Sequence, residues 1–208
     1  MKTSNIILLA VFASLLIWIL VAFVTAKAKI EGFIEQHPEI IKESKKEVKR
    51  ETIELDVFHT IVVNGEGDLY VEQSEAYTFD QYIDEENIAE VKNDTLFINV
   101  LGNECRLSVN DLQNVLTKDE VWVEISDLET DTFNIFTTND SHLEVNNLRV
   151  KFLKLISEDK SKVELKNINH KNTQAEFYLR NFSEVSVDDT KGMALSVRKD
   201  PESKFEDD

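Results

Sequence analysis

The sequence predicts an all-β fold, a parallel β-solenoid built from coils of about 20 residues. The first observation is a short motif, Ser-x-(Leu, Val or Phe)-(Glu or Ser), which occurs four times at spacings of 20, 22 and 20 residues. The second is that apolar residues fall at fixed distances from each serine with period two, as in half-buried strands. The third is a run of further short alternating segments separated by turn signals. The motif serines are Ser141, Ser161, Ser183 and Ser203.

Each repeat contains two short alternating runs. In the first repeat, Leu143 and Val145 follow the serine, while Phe133 and Ile135 precede it. A fixed period of this kind is typical of a solenoid, because one coil cannot bury its apolar face until neighbouring coils stack on it. An antiparallel sandwich is the alternative, but it would make the agreement of six columns a coincidence. The same columns extend one coil further back, to Val123, Ile125 and Leu128.

Residues 6–26 form an apolar segment of 21 positions without a charge. Its polar residues are Ser14 and Thr25. As a helix it would be about 31 Å long, enough to cross the hydrocarbon core of a bilayer. A cleaved signal peptide is the alternative, but the apolar stretch is longer than the usual core of such a peptide. We therefore expect residues 1–5 to be a short flank and residues 6–26 to be a single-pass transmembrane helix.

The sequence predicts a charged helical spacer over residues 27–47, with Ile30 and Phe33 on one helical face. Lys27 and Lys29 follow the apolar segment, so the positive-inside rule alone would place the following domain in the cytoplasm. Large domains cross membranes largely regardless of flanking charge. We therefore expect the C-terminal domain to be extracytoplasmic, in the periplasm.

Residues 48–208 form the predicted β-solenoid domain. Acidic residues outnumber basic ones by 40 to 23 in the whole chain, which gives a formal charge of -17. This charge argues against binding of nucleic acid and against adsorption to anionic lipid. Turn signals at residues 64–67 and 93–94 separate strands in the first half of the domain. The predicted strands there are residues 52–55, 58–63, 68–72, 77–79, 88–91 and 95–100.

These segments, in this order, resemble the auto-transporter adhesin head GIN domain, a bacterial family. The resemblance rests on residues 58–65 (Phe-His-Thr-Ile-Val-Val-Asn-Gly), 68–73, 91–100 and 121–125 (Val-Trp-Val-Glu-Ile), and it extends from about residue 48 to the C-terminus. It implies a right-handed parallel β-helix at the cell envelope with an adhesin-like surface role. The matching motifs are patterns of apolar spacing, so no functional residue is carried over.

Acidic side chains in the repeats are candidates for catalysis. Paired carboxylates about 5 to 9.5 Å apart can act as acid and base on a polysaccharide, so a polysaccharide-active β-helix enzyme is the alternative function. Lys162 and Lys204 in the adjacent outward column indicate instead a solvated face of paired charges. We therefore predict that the protein is not an enzyme and has no catalytic residues. The candidates weighed are Glu144, Glu164 and Glu206 in one column, Ser186 between them, and Asp188-Asp189 nearby.

The sequence signals for metal binding are weak, and we predict no metal-binding or cofactor-binding residues. Two acidic groups could supply oxygen ligands to calcium, but the glycine of a sharp calcium loop is missing. The four histidines have no metal-ligand spacing, and Cys105 is expected to be a small buried residue. The acidic groups are Asp127, Glu129 and Asp131, and Glu206, Asp207 and Asp208; the histidines are His37, His59, His142 and His170.

We therefore expect a non-enzymatic, adhesin-like binding or structural module of the cell envelope. Its expected partners are the membrane, through the N-terminal helix, and an envelope protein or glycan, through a strand face. No nucleic acid and no cofactor is expected, and the sequence leaves the oligomeric state open. The motif serines are expected to satisfy backbone groups at the corners of the coils.

Overall fold

The computed structural model describes Thr25, Lys27 and Lys29 and residues 49–82, 88–102, 104–168, 172–188, 190 and 193–207. The chain divides into two units, Met1–Val48 and Lys49–Asp208. The predicted helices over residues 6–26 and 27–47 therefore lie outside the described residues, apart from three positions. No helix in the described part of the chain is long and apolar enough to cross a membrane.

Seventeen strands lie within the described part of the second unit. Nine form a first sheet, in the order β1-β4-β7-β3-β9-β11-β13-β15-β17, and eight form a second sheet, in the order β16-β14-β12-β10-β8-β2-β6-β5. The strands are β1 (Arg50–Glu54), β2 (Thr60–Gly65), β3 (Asp68–Gln73), β4 (Thr78–Tyr82), β5 (Ile88–Lys92), β6 (Thr95–Val100), β7 (Cys105–Val109), β8 (Asn114–Thr117), β9 (Trp122–Ser126), β10 (Glu129–Thr137), β11 (His142–Asn146), β12 (Arg149–Ser157), β13 (Lys162–Lys166), β14 (Gln174–Leu179), β15 (Glu184–Val187), β16 (Ala194–Lys199) and β17 (Lys204–Asp207).

From β8 to β17 the chain alternates between the two sheets, and neighbouring strands pair in parallel. Phe133 in β10 pairs with Leu153 in β12, which pairs in turn with Ala175 in β14. In the first sheet, Leu143 in β11 pairs with Val163 in β13. The apolar columns visible in the sequence are therefore rows of directly opposed residues in this half of the domain.

The prediction of a right-handed parallel β-helix is wrong for the domain as a whole. The strands form two mixed sheets rather than a closed solenoid, because the pairs β1 with β4, β4 with β7 and β5 with β6 are antiparallel. The clearest cause is the two-residue turn at Asn93 and Asp94, where φ is 48° and 65°. Such a turn returns the chain directly against the preceding strand and produces a hairpin instead of a new coil.

The hydrophobic core contains inward side chains of both sheets, in one continuous cluster. Its largest members include Phe58, Phe79, Phe133 and Phe177, all fully buried. Burial of one side chain of this size stabilises a fold by about 1.5–3 kcal/mol relative to exposure. Cys105 is also completely buried in this cluster, which confirms the prediction of a small buried residue.

The corners between strands use asparagine and aspartate in the left-handed conformation. Asp127, Asn147 and Asn167 have φ values of 56°, 58° and 55°, and Asn139 and Asp140 have values of 57° and 58°. Short polar side chains tolerate this conformation better than other non-glycine residues. The chain can therefore make its repeated corners with few glycines.

Candidate binding face on the first sheet

The outward side of the first sheet is defined by alternation along its strands. In β9, Val123 and Ile125 are buried, so Trp122, Glu124 and Ser126 point outward and are half-buried. Because neighbouring strands are in register, the outward residues form rows across the sheet, which we call the candidate binding face. One row contains Asp68, Trp122, His142, Lys162, Glu184 and Lys204, and the next contains Tyr70, Glu124, Glu144, Glu164, Ser186 and Glu206.

Glu144 and Glu164 are directly opposed on this face and share one cation. The Nζ atom of Lys166 lies 2.7 Å from Glu144 Oε1 and 3.0 Å from Glu164 Oε2. Lys162 lies 2.5 Å from Glu164 Oε1. Hydrogen bonds from Lys162 and then Lys166 lower the pKa of Glu164 to about 2, and the hydrogen bond from Lys166 lowers the pKa of Glu144.

This carboxylate pair is suited to accept hydrogen bonds and not to transfer protons. Cleavage of a glycosidic bond by two carboxyl groups requires one of them to stay protonated, with a raised pKa. The pKa values of Glu144 and Glu164 are both shifted in the opposite direction. Both groups are therefore ionised and partly neutralised by lysines at neutral pH.

We expect Glu164→Gln to lower the free energy of unfolding by about 0.5–1 kcal/mol at neutral pH, because the lysines lose a partly exposed ionic partner. The pKa of Glu164 falls from 4.5 to about 2 on folding, so its contribution is present above about pH 4.5 and is lost as the pH falls towards 2. Urea unfolding of both proteins across this range should therefore show a difference that shrinks with acid. Glu120→Gln, at an exposed turn, is the control, and a pH-independent difference for Glu164→Gln would contradict the prediction.

Tyr70 and Trp122 form an aromatic pair beside the acidic row. Their ring centroids are 5.3 Å apart with an interplanar angle of 72°, and His142 lies 6.3 Å beyond Trp122 at 78°. All three side chains are half-buried. Edge-to-face contacts contribute about 0.5–1.5 kcal/mol beyond the buried area. The rings are therefore held in fixed positions while part of their surface faces solvent.

A hydrogen-bond acceptor and a donor lie next to these rings. Glu124 is opposite Tyr70 in the sheet register and accepts hydrogen bonds from Asn146 Nδ2 at 3.3 Å and Ser126 Oγ at 3.4 Å. The pKa of Tyr70 is raised, first by burial and then by nearby carboxylates. Its hydroxyl group therefore stays protonated and able to donate at neutral pH, beside the ring of Trp122.

The first acidic group considered for calcium binding, Asp127, Glu129 and Asp131, is engaged by other side chains. Among the described residues no group of three or more His, Cys, Asp and Glu side chains could hold a metal ion. His37, His170, Asp189 and Asp208 lie outside the described residues. Asp127 Oδ1 accepts from Asn147 at 2.9 Å, Glu129 pairs with Arg149 at 3.2 Å, Asp131 pairs with Lys151 at 2.6 Å, and His59 lies 2.7 Å from Asp94.

The structure brings together some of the predicted site residues and adds others. Glu144 and Glu164 are adjacent, whereas Lys204 pairs with Glu184 at 2.6 Å instead of serving the acidic row. The sequence prediction missed the pair of Tyr70 and Trp122. Trp122 precedes an inward column residue and could have been assigned outward, but no periodic signal places Tyr70 against it, because β3 and β9 are distant in sequence.

No protein-family model and no curated protein matches the chain. The chain is similar in structure to a candidate adhesin from Bacteroides fragilis, with 16% identity, a TM-score of 0.49 and coverage of 79% of this chain and 98% of that one. A candidate adhesin from Parabacteroides merdae gives 10% identity, a TM-score of 0.43 and coverage of 79% and 97%. A candidate lipid-binding protein from Parabacteroides distasonis gives 14% identity, a TM-score of 0.35 and coverage of 78% of this chain and 98% of that one. Membership of the GIN domain family stays a prediction.

Proposed function

We propose that the protein is a non-catalytic binding module of the cell envelope and that the candidate binding face takes a neutral glycan. The observation that carries the proposal is the fixed pair of Tyr70 and Trp122 beside the carboxylate of Glu124. A sugar ring presents C–H groups that pack on aromatic surfaces and hydroxyl groups that need fixed acceptors and donors. Rigid aromatic anchors with a few placed polar groups are typical of binding sites.

The charge of the face favours a neutral ligand. Carboxylates outnumber amines in the rows around Trp122, and the whole chain has a formal charge of -17. Such a field repels anionic ligands and leaves neutral ones unaffected. A glycan without carboxylate or phosphate groups therefore fits the face best.

The absence of catalysis is supported by the state of the carboxylate pair. Glu144 and Glu164 are held ionised by Lys166 and Lys162, so neither provides the proton that a glycosidic leaving group requires. The same fixed oxygens are well suited to accept hydrogen bonds from sugar hydroxyls. The extracytoplasmic location and the membrane contact through the N-terminal segment stay predictions.

We expect wild-type protein to bind neutral oligosaccharides on a glycan array, and we expect Trp122→Ala to weaken that binding. Loss of an aromatic anchor at the centre of a site should weaken binding about ten-fold or more. Isothermal titration calorimetry with the best array ligands measures the difference. Phe182→Asn is the matched control, because it removes an aromatic side chain that is 61% exposed at the corner before β15 and belongs to neither row of the face.

A second readout comes from the tryptophans. The chain has two, Trp18 and Trp122, so Trp18→Phe in the full-length protein leaves Trp122 as the single reporter. Glycan binding should then shift its fluorescence. Binding that is equal in wild type and Trp122→Ala, or an array that shows only anionic ligands, would contradict the proposal.

A further inference from the structure

The outward side of the second sheet carries a continuous line of apolar side chains, which we call the apolar row. Val62 in β2 is opposed to Phe97 on one side and Leu116 on the other, and the line continues to Tyr178 in β14. A charged residue stands at each end. In spatial order the residues are Glu90, Phe97, Val62, Leu116, Phe136, Ile156, Tyr178 and Arg198.

The apolar row is not part of the core. Its strand neighbours Leu96, Ile98 and Val115 are buried between the sheets, so the row itself points to the outside. Phe97 is 43% exposed, and Phe152 on the same face is 50% exposed. Outward positions of a solvated sheet are normally polar. A contiguous apolar stretch there indicates an interaction surface.

We propose that this face pairs with the same face of a second copy of the chain, around a two-fold axis that runs along the strands. That axis reverses the row, so Glu90 of one protomer meets Arg198 of the other. It also places Phe97 against Tyr178 and Leu116 against Phe136. An axis along the row would instead oppose identical charges. Self-complementarity of one patch is the requirement for a symmetric dimer.

The neighbouring outward row is compatible with the same symmetry. Reversal places Lys92 opposite Ser196, Thr95 opposite Glu176 and Thr60 opposite Lys154, so no like charges meet. Its central amides are already paired within the protomer, with Asn114 Nδ2 donating to Thr60 Oγ1 at 3.0 Å and Asn134 Nδ2 to Asn114 Oδ1 at 2.9 Å. Their burial therefore costs less than that of unpaired amides. In spatial order the row is Lys92, Thr95, Thr60, Asn114, Asn134, Lys154, Glu176 and Ser196.

The size and charge of the face also suit a second copy. Eight strands at about 4.8 Å spacing and five residues at about 3.3 Å give roughly 34 by 17 Å. The accessible area of such a face is on the order of the 800 Å² per partner found in standard interfaces. Both rows together carry three cations and two carboxylates, in a chain with a formal charge of -17. A second copy is therefore repelled less here than at an average surface.

Analytical ultracentrifugation of the full-length protein, in detergent if needed, tests the proposal. Wild type should be a dimer, and Glu90→Arg or Arg198→Glu alone should weaken the dimer about ten-fold or more, because each opposes like charges. The double variant should recover wild-type affinity. The two residues lie at opposite ends of the row, so rescue reports a contact between protomers. Phe136→Ser should also weaken the dimer, whereas Glu120→Arg at an exposed turn should not.

Circular dichroism establishes that each variant is folded. A wild-type monomer at about 100 μM would overturn the proposal and would leave the apolar row to a different partner. A dimer that tolerates both single charge reversals and Phe136→Ser would place the interface elsewhere. A double variant without rescue would overturn the proposed symmetry. None of these variants touches the candidate binding face, so failure of the dimer and failure of glycan binding are distinguishable.

Discussion

Gly65→Ala should destabilise the domain by about 4 kcal/mol, the sum of backbone strain and a steric overlap. Gly65 ends β2 with a φ of 114°, a conformation that side chains disfavour strongly. A Cβ atom there would overlap the backbone carbonyl oxygen of Val100, the residue opposed to Gly65 in β6. That oxygen also accepts a hydrogen bond from the Glu66 amide at 3.1 Å. A side-chain rotation cannot relieve the overlap, because the positions of the Cβ atom and of the Val100 carbonyl oxygen are both set by the backbone.

Gly102→Ala provides the matched control. Gly102 has a φ of 94°, but a Cβ atom there would meet nothing within 4 Å. Its substitution should therefore cost only the conformational strain, about 1–2 kcal/mol. Urea unfolding followed by circular dichroism measures both variants. Equal losses at the two glycines would mean that the approach of β2 to the Val100 carbonyl is not what requires glycine at residue 65.

The C-terminal half of the fold could be predicted because its sequence repeats at a fixed period and because buried and exposed residues alternate along each strand. Leu143, Val163 and Val185 occupy one column and are opposed in three successive strands. A slip of one residue would turn each of them to solvent, so burial of one face fixes the register. The period and the alternation together therefore specify which side chains of each strand are buried and which strand it pairs with.

The N-terminal half could not be predicted in the same way. Alternation in β3 and β7 shows which side chains are buried, but it does not show which strand lies beside which. β7 lies between β4 and β3, with antiparallel pairing on one side and parallel pairing on the other. The turn at Asn93 and Asp94 is a local signal that forms a hairpin, and the repeat does not extend back to this part of the chain.

The part of the candidate site that lies within the repeat was predictable, and the part outside it was not. The column of Glu144 and Glu164 follows from the repeat, and the prediction of a charge-paired outward face identifies Lys162 correctly as a partner. Lys166 is missed, although its Nζ atom contacts both carboxylates from a different row. The pair of Tyr70 and Trp122 depends on the long-range pairing of β3 with β9, which no local pattern encodes.

The two outer faces of the domain differ in a way that lets both proposals hold at once. The candidate binding face is on the first sheet and the apolar row is on the second, so dimerisation through the row leaves each binding face open. A dimer would then present two glycan sites. Binding of a polymeric glycan by two linked sites can exceed the affinity of one site by a factor of roughly 100 or more, where the geometry allows both to engage.

The hydroxyl groups of the motif serines are buried and bond to one another or to the threonine and serine hydroxyls that end strands of the second sheet. The prediction that these hydroxyls satisfy backbone groups is confirmed for Ser183, which accepts a hydrogen bond from the Arg180 amide at 3.1 Å. It is also confirmed for Ser161, whose Oγ donates to the Thr137 carbonyl oxygen at 3.2 Å and lies 2.8 Å from Ser157 Oγ and 3.0 Å from Thr137 Oγ1. All three hydroxyl side chains are completely buried.

Ser161→Ala should therefore lower the free energy of unfolding by about 2 kcal/mol, because it leaves two buried hydroxyls with one partner fewer. Ser126→Ala is the control, since that half-buried hydroxyl makes a single long contact of 3.4 Å to Glu124, and it should cost about 0.5 kcal/mol or less. Replacing Thr137, Ser157 and Ser161 together by valine, alanine and alanine should cost less than the sum of the single losses, because no unpaired hydroxyl then remains. Urea unfolding of the single and triple variants measures these differences. Additive losses would mean that the hydroxyls act independently and that the serine repeat does not form a cooperative network.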